Sequence, residues 1–123
     1  MSRMHDVFER QAATALRLRS STARQRIAKI RQLRDAVIAR TEDWYRAAQA
    51  DFHKPPGEVD LGEILPVCME ANAAIRHLRQ WMKPQRVRPT LLTLGTRSTV
   101  HSVPRGRCLI IGPFNYPVNL TLG

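Results

Sequence analysis

Apolar residues recur at three- and four-residue spacing from the start of the chain to about residue 80, the period of amphipathic helices packed along one face. Over residues 3–19, Val7, Phe8, Ala12, Ala15 and Leu16 share such a face. Ser20-Ser-Thr22 interrupts it, and Thr22-Ala-Arg-Gln25 has the form of a capping box opening a second helix. That helix carries Ile27, Ile30, Leu33, Val37 and Ile38 on one side. Thr41 is the expected N-cap of a third helix, with Glu42 and Asp43 where acidic groups suit the helix dipole. Trp44, Ala47, Ala48 and Phe52 form its apolar face, and Lys54-Pro-Pro-Gly57 ends it. A fourth helix is expected over residues 58–80, with Ile64, Val67, Ala71, Ile75 and Leu78 buried. Pro66 lies inside it and lacks the N–H that would pair with the Gly62 carbonyl, so a kink or a restart is expected there.

After Trp81-Met-Lys-Pro84 and Pro89 the period changes. Residues 90–94 and 98–103, rich in β-branched side chains, read as a hairpin around Gly95-Thr96. Pro104-Arg-Gly106 turns the chain into Cys108-Leu-Ile-Ile111, four apolar residues between two glycines. This is the pattern of a strand buried on both faces of a parallel sheet. Such a strand needs neighbours and covering helices, yet the chain ends about a dozen residues later. The loop that follows it occupies the place where open α/β sheets bind ligands. The reading is therefore mostly α-helical with a hairpin and one α/β strand, divided at residues 1–89, 90–103 and 104–123.

Composition changes this picture little. A chain of 123 residues with 43% hydrophobic residues suits a globular domain. The 20 Lys and Arg against 10 Asp and Glu bring nucleic acid, an anionic membrane surface or an acidic partner into consideration. On the second helix, however, Arg24 and Arg31 flank one side of the apolar arc and Arg26, Lys29 and Arg40 the other. A phosphate-reading helix would gather its bases on one groove-facing edge, so these read as a solvated surface and no nucleic-acid role is expected. Cys68 and Cys108 lack metal-ligand spacing and make no disulfide framework, which points to a reducing, cytoplasmic setting. No apolar run is long enough to cross a bilayer, and Asp6 and Glu9 argue against a transit peptide, so no membrane role is expected either.

The four histidines are scattered, so no metal site is expected. Cys108 reads as an inert buried thiol, Cys68 as core or half-core, and Trp44 and Trp81 as packing anchors. Glu58, Glu63 and Glu70 read as the solvated side of a helix. Gly112-Pro-Phe-Asn-Tyr-Pro117 differs in kind, because two prolines fix its shape around Asn115. A rigid neutral amide beyond a buried strand is what stabilising a developing oxyanion requires. The alternative is an Asn that caps the next helix or holds the turn.

Leu109-Ile-Ile-Gly-Pro-Phe-Asn-Tyr-Pro-Val-Asn-Leu-Thr-Leu122, preceded by Pro104-Arg-Gly-Arg107, resembles the first cofactor-domain strand and loop of the NAD(P)-dependent aldehyde dehydrogenases. Asp51-Phe-His-Lys-Pro55, Glu58-Val, Glu63-Ile and His77-Leu-Arg-Gln-Trp-Met-Lys-Pro84 resemble the N-terminal helices of the class 3-like branch. The resemblance runs from about residue 8 to residue 123. It implies an α/β parent fold with a Rossmann-like cofactor-binding domain beginning at residue 104. It also implies oxidation of an aldehyde to a carboxylic acid with NAD or NADP through a Cys thiohemiacetal. Asn115 matches the amide that holds the oxyanion, and Ile111, Gly112, Pro113 and Phe114 match the stretch along the nicotinamide riboside. Many members carry Trp where this chain has Phe114, and an aromatic is kept. The hairpin matches the family's subunit-assembly arm, implying a homodimer or larger assembly for the parent enzyme.

By the same resemblance, the nucleophilic Cys, the general-base Glu and the groups that hold the cofactor ribose lie downstream of residue 123. The expectation is an N-terminal piece, from a truncated gene product, a split reading frame or a partial chain, that is inactive alone. The competing readings are a basic helical module binding nucleic acid or another polyanion, and an interaction fragment that pairs with full-length subunits.

Overall fold

The computed structural model describes residues 3–123. In chain order its elements are α1 (Arg3–Arg10), α2 (Ala12–Arg19), α3 (Ala23–Ala39), α4 (Thr41–Phe52), α5 (Pro56–Val59), a π-helical turn (Asp60–Ile64), α6 (Leu65–Trp81), β1 (Gln85–Val87), a 3-10 turn (Leu91–Thr93), β2 (Ser98–Val100) and α7 (Asn119–Leu122). They fall into two compact units, one of residues 24–76 with 109–123, the other of residues 3–23 with 77–108.

The first of these units holds the core. Val37, Val59, Ile64 and Val67 are buried together, with Trp44, Tyr45, Ala48, Cys68 and Val118 packed against them. Burying one such aliphatic side chain contributes about 1.5–3 kcal/mol, so this cluster is the main cohesive element of the unit. Polar bonds align the helices around it. The Trp44 indole donates to the Val37 carbonyl at 3.1 Å, the Arg34 guanidinium donates to Asn72 Oδ1 at 2.7 Å, and the Tyr45 phenol donates to Asp60 Oδ1 at 2.6 Å. The stripe on α3 is narrower than its periodicity predicts. Ile27 and Val37 are buried, but Leu33 and Ile38 are exposed, because a core this small cannot cover the flanks of the helix.

Helix ends follow local chemistry, with one departure from expectation. Arg40, not Thr41, occupies the cap of α4 and makes no side-chain cap bond. Thr41 lies inside the helix, and its hydroxyl donates back to the Ile38 carbonyl at 2.8 Å. At the other end His53 takes a left-handed conformation, φ 56°, and Lys54 N–H reaches the Ala48 carbonyl at 3.3 Å. The motif usually uses glycine, but Pro55 and Pro56 prevent the helix from continuing and His53 absorbs the turn. The break expected near Pro66 is a π turn immediately before it, in which Leu65 N–H bonds the Asp60 carbonyl. The Gly62 carbonyl, which Pro66 leaves without its helical donor, accepts the Asn119 side-chain amide at 2.9 Å.

In the other unit, β1 and β2 pair antiparallel with Gln85 opposite Val100, Arg86 opposite Thr99 and Val87 opposite Ser98. The first strand is therefore not residues 90–94. Those residues form the 3-10 turn, where Thr90 and Thr93 bond each other's backbone in a capping box and so satisfy locally the groups a strand would offer to a partner. Gly95 and Gly106 adopt φ +87° and +96°, conformations that suit glycine alone. Beside Gly106, Arg107 donates to the Phe8 carbonyl at 2.9 Å, pairs with Glu9 at 3.2 Å and lies 4.3 Å over the Phe8 ring.

Residues 108–111 form no strand. Leu109, Ile110 and Ile111 are 72%, 62% and 85% exposed, and Cys108, expected to be buried, is exposed as well. A two-face strand is buried only by flanking strands and covering helices, and no described strand runs beside this one.

Amide hydrogen exchange is expected to be slowest at Val67 and Ala71 in the buried face of α6 and close to that of free peptide at residues 109–111. The Tyr45 phenol is pushed up to about 12 from an ordinary value of 10.0, chiefly by its hydrogen bond to Asp60, then by burial and by the charges of Asp60 and Glu42. Its folded value lies above its unfolded one, so its contribution to stability is complete below pH 10.0 and is lost as pH rises through about 12. Thermal melts between these limits are expected to show that alkaline loss, and Tyr45→Phe to reduce it.

Candidate functional site

The five residues singled out for chemistry lie on one exposed segment leading into α7. Ile111 and Phe114 are 85% and 88% exposed, and Pro113 and Asn115 are also exposed. Gly112 turns inward. A Cβ there would lie 2.6 Å from Thr121 Cγ2, so only glycine lets the segment pass this close to α7. The Thr121 hydroxyl in turn donates to the Pro117 carbonyl, fastening the segment to the helix it precedes.

Asn115 is held through its main chain. The Lys54 ammonium donates to its carbonyl at 2.5 Å and lies 4.3 Å from the Tyr116 ring centroid and 5.8 Å from that of Phe52. The same ammonium is 3.7 Å from Glu63 Oε1 and 4.0 Å from Glu58. Glu63 Oε2 accepts the backbone N–H groups of Val118 at 3.0 Å and Asn119 at 2.9 Å. The Asn119 side chain returns to the Gly62 carbonyl, and the Tyr116 ring occupies the space a Cβ at Gly62 would enter, 2.8 Å from its Cε1. Residues from three separate stretches, 54, 62–63 and 115–119, thus form one polar knot beneath the exposed Asn115 side chain.

Glu63 corrects the reading of it as a solvated acid, since only 4% of the residue is exposed. The signal was present in the spacing: Val59, Glu63, Val67 and Ala71 recur every four residues, which places a carboxylate in the middle of the apolar stripe. A charge so buried requires partners, and Lys54 with two amides supplies them. Local sequence marks Lys54 as part of the stop that ends α4 and of the Asp51-Phe-His-Lys-Pro55 wording, not as the partner of a buried acid. Its role depends on the loop folding back more than fifty residues later, which periodicity does not encode.

A cleft of about 340 Å3 runs between α4 and the start of α7, walled mainly by Trp44, Ala47, Ala48, Phe52, Val118 and Leu122. Its lining includes Lys54 and Glu63 but none of residues 111–115, so it is a packing groove beside the knot. Ile111 and Phe114 offer apolar surface to a planar ring, and residues 111–114 carry no charged side chain that could hold a phosphate. Cys68 is half-buried beside the core, and no group of three His, Cys, Asp or Glu side chains able to hold a metal occurs among the described residues. No described helix is long and apolar enough to cross a membrane.

Comparison with known proteins gives a consistent result. The aldehyde dehydrogenase family model matches residues 4–123. Aldehyde dehydrogenase family 3 member B1 of mouse is 35% identical over 104 residues, covering 85% of this chain and 22% of that protein. The rat protein of the same name is 36% identical over 113 residues, covering 92% and 24%. An aldehyde dehydrogenase of the plant Craterostigma plantagineum is 33% identical over 97 residues, covering 79% and 20%. The chain spans about a quarter of the length of the curated relatives it matches.

Removing one partner of a buried ion pair leaves the other charge uncompensated, at a cost of about 3–5 kcal/mol. Glu63→Ala also strips two amides of their acceptor, so chemical denaturation is expected to show a loss near about 3 kcal/mol, against less than about 1 kcal/mol for the exposed Glu70→Ala.

Proposed function

The chain belongs to the aldehyde dehydrogenase family, and on that premise we propose that it supplies the oxyanion-holding loop of an enzyme that oxidises aldehydes to carboxylic acids with NAD or NADP. The observation that carries this reading is the restraint on Asn115: its main chain is tied to Lys54 while its side-chain amide is left at the surface beyond residues 108–111. A donor held in that way suits charge that develops during reaction, because it need not reorganise when the charge appears.

In this proposal a cysteine outside residues 1–123 attacks the aldehyde carbonyl, and the oxygen of the resulting thiohemiacetal takes its hydrogen bond from Asn115 Nδ2. NAD or NADP held along residues 111–114 would supply the hydride acceptor, and water would then release the resulting thioester as the carboxylic acid and free the cysteine. Ile111 and Phe114 provide an apolar wall along the nicotinamide riboside, and Gly112 and Pro113 hold the main chain between them. Residues 104–123 begin the Rossmann-like cofactor domain, with 108–111 as its first strand. The exposure of Leu109, Ile110 and Ile111 supports that reading, since it is the surface such a strand presents before neighbours cover it. The mainly helical part up to Trp81 and the hairpin arm of β1 and β2 complete the division, with a homodimer or larger assembly in the cytoplasm as the setting.

Neither cysteine of the chain is placed as the nucleophile. Cys68 packs against the core, and Cys108 stands seven residues before Asn115 in the exposed segment with no His, Asp or Glu between them. An activated thiolate needs a neighbouring base or a depressed pKa.

The 123-residue chain is therefore expected to show no turnover of NAD or NADP with a panel of aldehydes. Activity that disappears on Cys68→Ser or Cys108→Ser would overturn the assignment of the nucleophile elsewhere. In a chimaera where this chain replaces the matching part of mouse family 3 member B1, Asn115→Ala is expected to lower kcat by about 10²–10³ with the cofactor KM little changed. An unchanged kcat with a raised cofactor KM would move Asn115 to a binding role.

A further inference from the structure

We infer that Lys54 and Glu63 are positioning residues for the Asn115 loop, an inference that rests on the oxyanion role proposed for Asn115. Lys54 carries the ordinary credentials of a surface cation that ends a helix, and Glu63 those of a solvated acid. The geometry excludes both readings. The side chains are 12% and 5% exposed, and each is committed to the loop from the opposite side. Lys54 Nζ holds the Asn115 carbonyl at 2.5 Å and faces the Tyr116 ring, so it fixes the Asn115–Tyr116 peptide, one of the two that set the direction of the Asn115 side chain. Glu63 holds the next two amides beyond Pro117, at Val118 and Asn119. The loop is therefore pinned on both sides of Tyr116-Pro117 by one ion pair, whose own separation is 3.7 Å.

Neither residue is free for other chemistry. A phosphate ligand would have to draw Lys54 away from a carboxylate, a carbonyl and an aromatic face together. A general base would have to be Glu63 without its two amide donors. What remains is mechanical: the pair sets where the Asn115 amide can be. Gly62 belongs to the same device, since a Cβ there would lie 2.8 Å from Tyr116 Cε1 and displace the ring that faces the ammonium.

The test uses the full 123-residue chain labelled with 15N, with Lys54→Met, Lys54→Arg and Glu63→Gln variants. Lys54→Met keeps the length of the side chain but removes the charge and the donor. It is expected to lower backbone order parameters at Asn115 and Tyr116 below about 0.6 and to speed exchange at Val118 and Asn119 at least about tenfold, while α4 amides remain as they were. Lys54→Arg, which keeps both the donor and a cation over the ring, is expected to restore order. Glu63→Gln, which keeps an acceptor oxygen without the charge, is the milder variant to read should Lys54→Met fail to fold, and the same loss of order at Asn115 is expected. Wild-type order and exchange in either neutral variant would overturn the inference. In the chimaera, Lys54→Met is expected to lower kcat about tenfold at unchanged cofactor KM, with recovery in Lys54→Arg; a loss confined to KM would also overturn it. Should Asn115→Ala leave turnover intact while Lys54→Met still loosens the loop, the oxyanion reading fails and the positioning device stands.

Discussion

A carboxylate in an apolar stripe must be answered, and the answer given to Glu63 organises the unit around it. Desolvating one charge costs several kcal/mol unless an opposite charge and hydrogen-bond donors meet it. Lys54 supplies the charge and the amides of Val118 and Asn119 supply the donors. Because those donors come from the far end of the chain, satisfying Glu63 draws residues 115–119 onto the helices at 54–64. The apolar cluster of Val37, Val59, Ile64 and Val67 gives cohesion without direction. The ionic knot gives a register, since its bonds are directional and tie residues 115, 118 and 119 to residues 54, 62 and 63.

What was legible in the sequence was mostly what depends on neighbours along the chain. The helices between Ala23 and Trp81, the stop at Lys54-Pro-Pro-Gly57 and the interruption before Pro66 follow from period and from proline chemistry, whereas the single helix expected over residues 3–19 is two, α1 and α2, parted at Gln11. Where two local solutions competed, the pattern chose wrongly. Residues 90–94 are β-branched enough for a strand, yet Thr90 and Thr93 could close their own bonds, and pairing moved to Gln85–Val87. Thr41 suited a cap, yet its hydroxyl turned back to Ile38. Cys108 read as buried because a run of four apolar residues implies a sheet, and no described strand lies beside it.

The site was half legible. The loop of Asn115 stands out by its composition, and its wording carries the family resemblance that the comparisons bear out. Its supports do not stand out, because Lys54, Gly62 and Glu63 meet the loop only after the chain has returned across more than fifty residues. The orphaned carbonyl of Gly62 could be anticipated from Pro66, but not its partner. Several side chains could have reached it, and Asn119 does so because Glu63 has already anchored the start of its helix.

The π turn at Asp60–Ile64 bears on how this region tolerates insertion and deletion. Steps of four residues drift by about 40° around an ideal α-helix, so Val59, Glu63, Val67 and Ala71 would wind slowly off one face. A single wide turn takes up part of that drift and keeps the four side chains buried together. Loss of one residue between 60 and 64 would leave a more regular helix, with better backbone geometry than the present one. The wide turn would absorb that loss, so Val67 and Ala71 would keep their place in the core. The irregular turn therefore acts as a buffer for the helix: one residue can be lost here with the buried stripe still facing the core, whereas one lost from the regular helix beyond it would turn that stripe by about 100°.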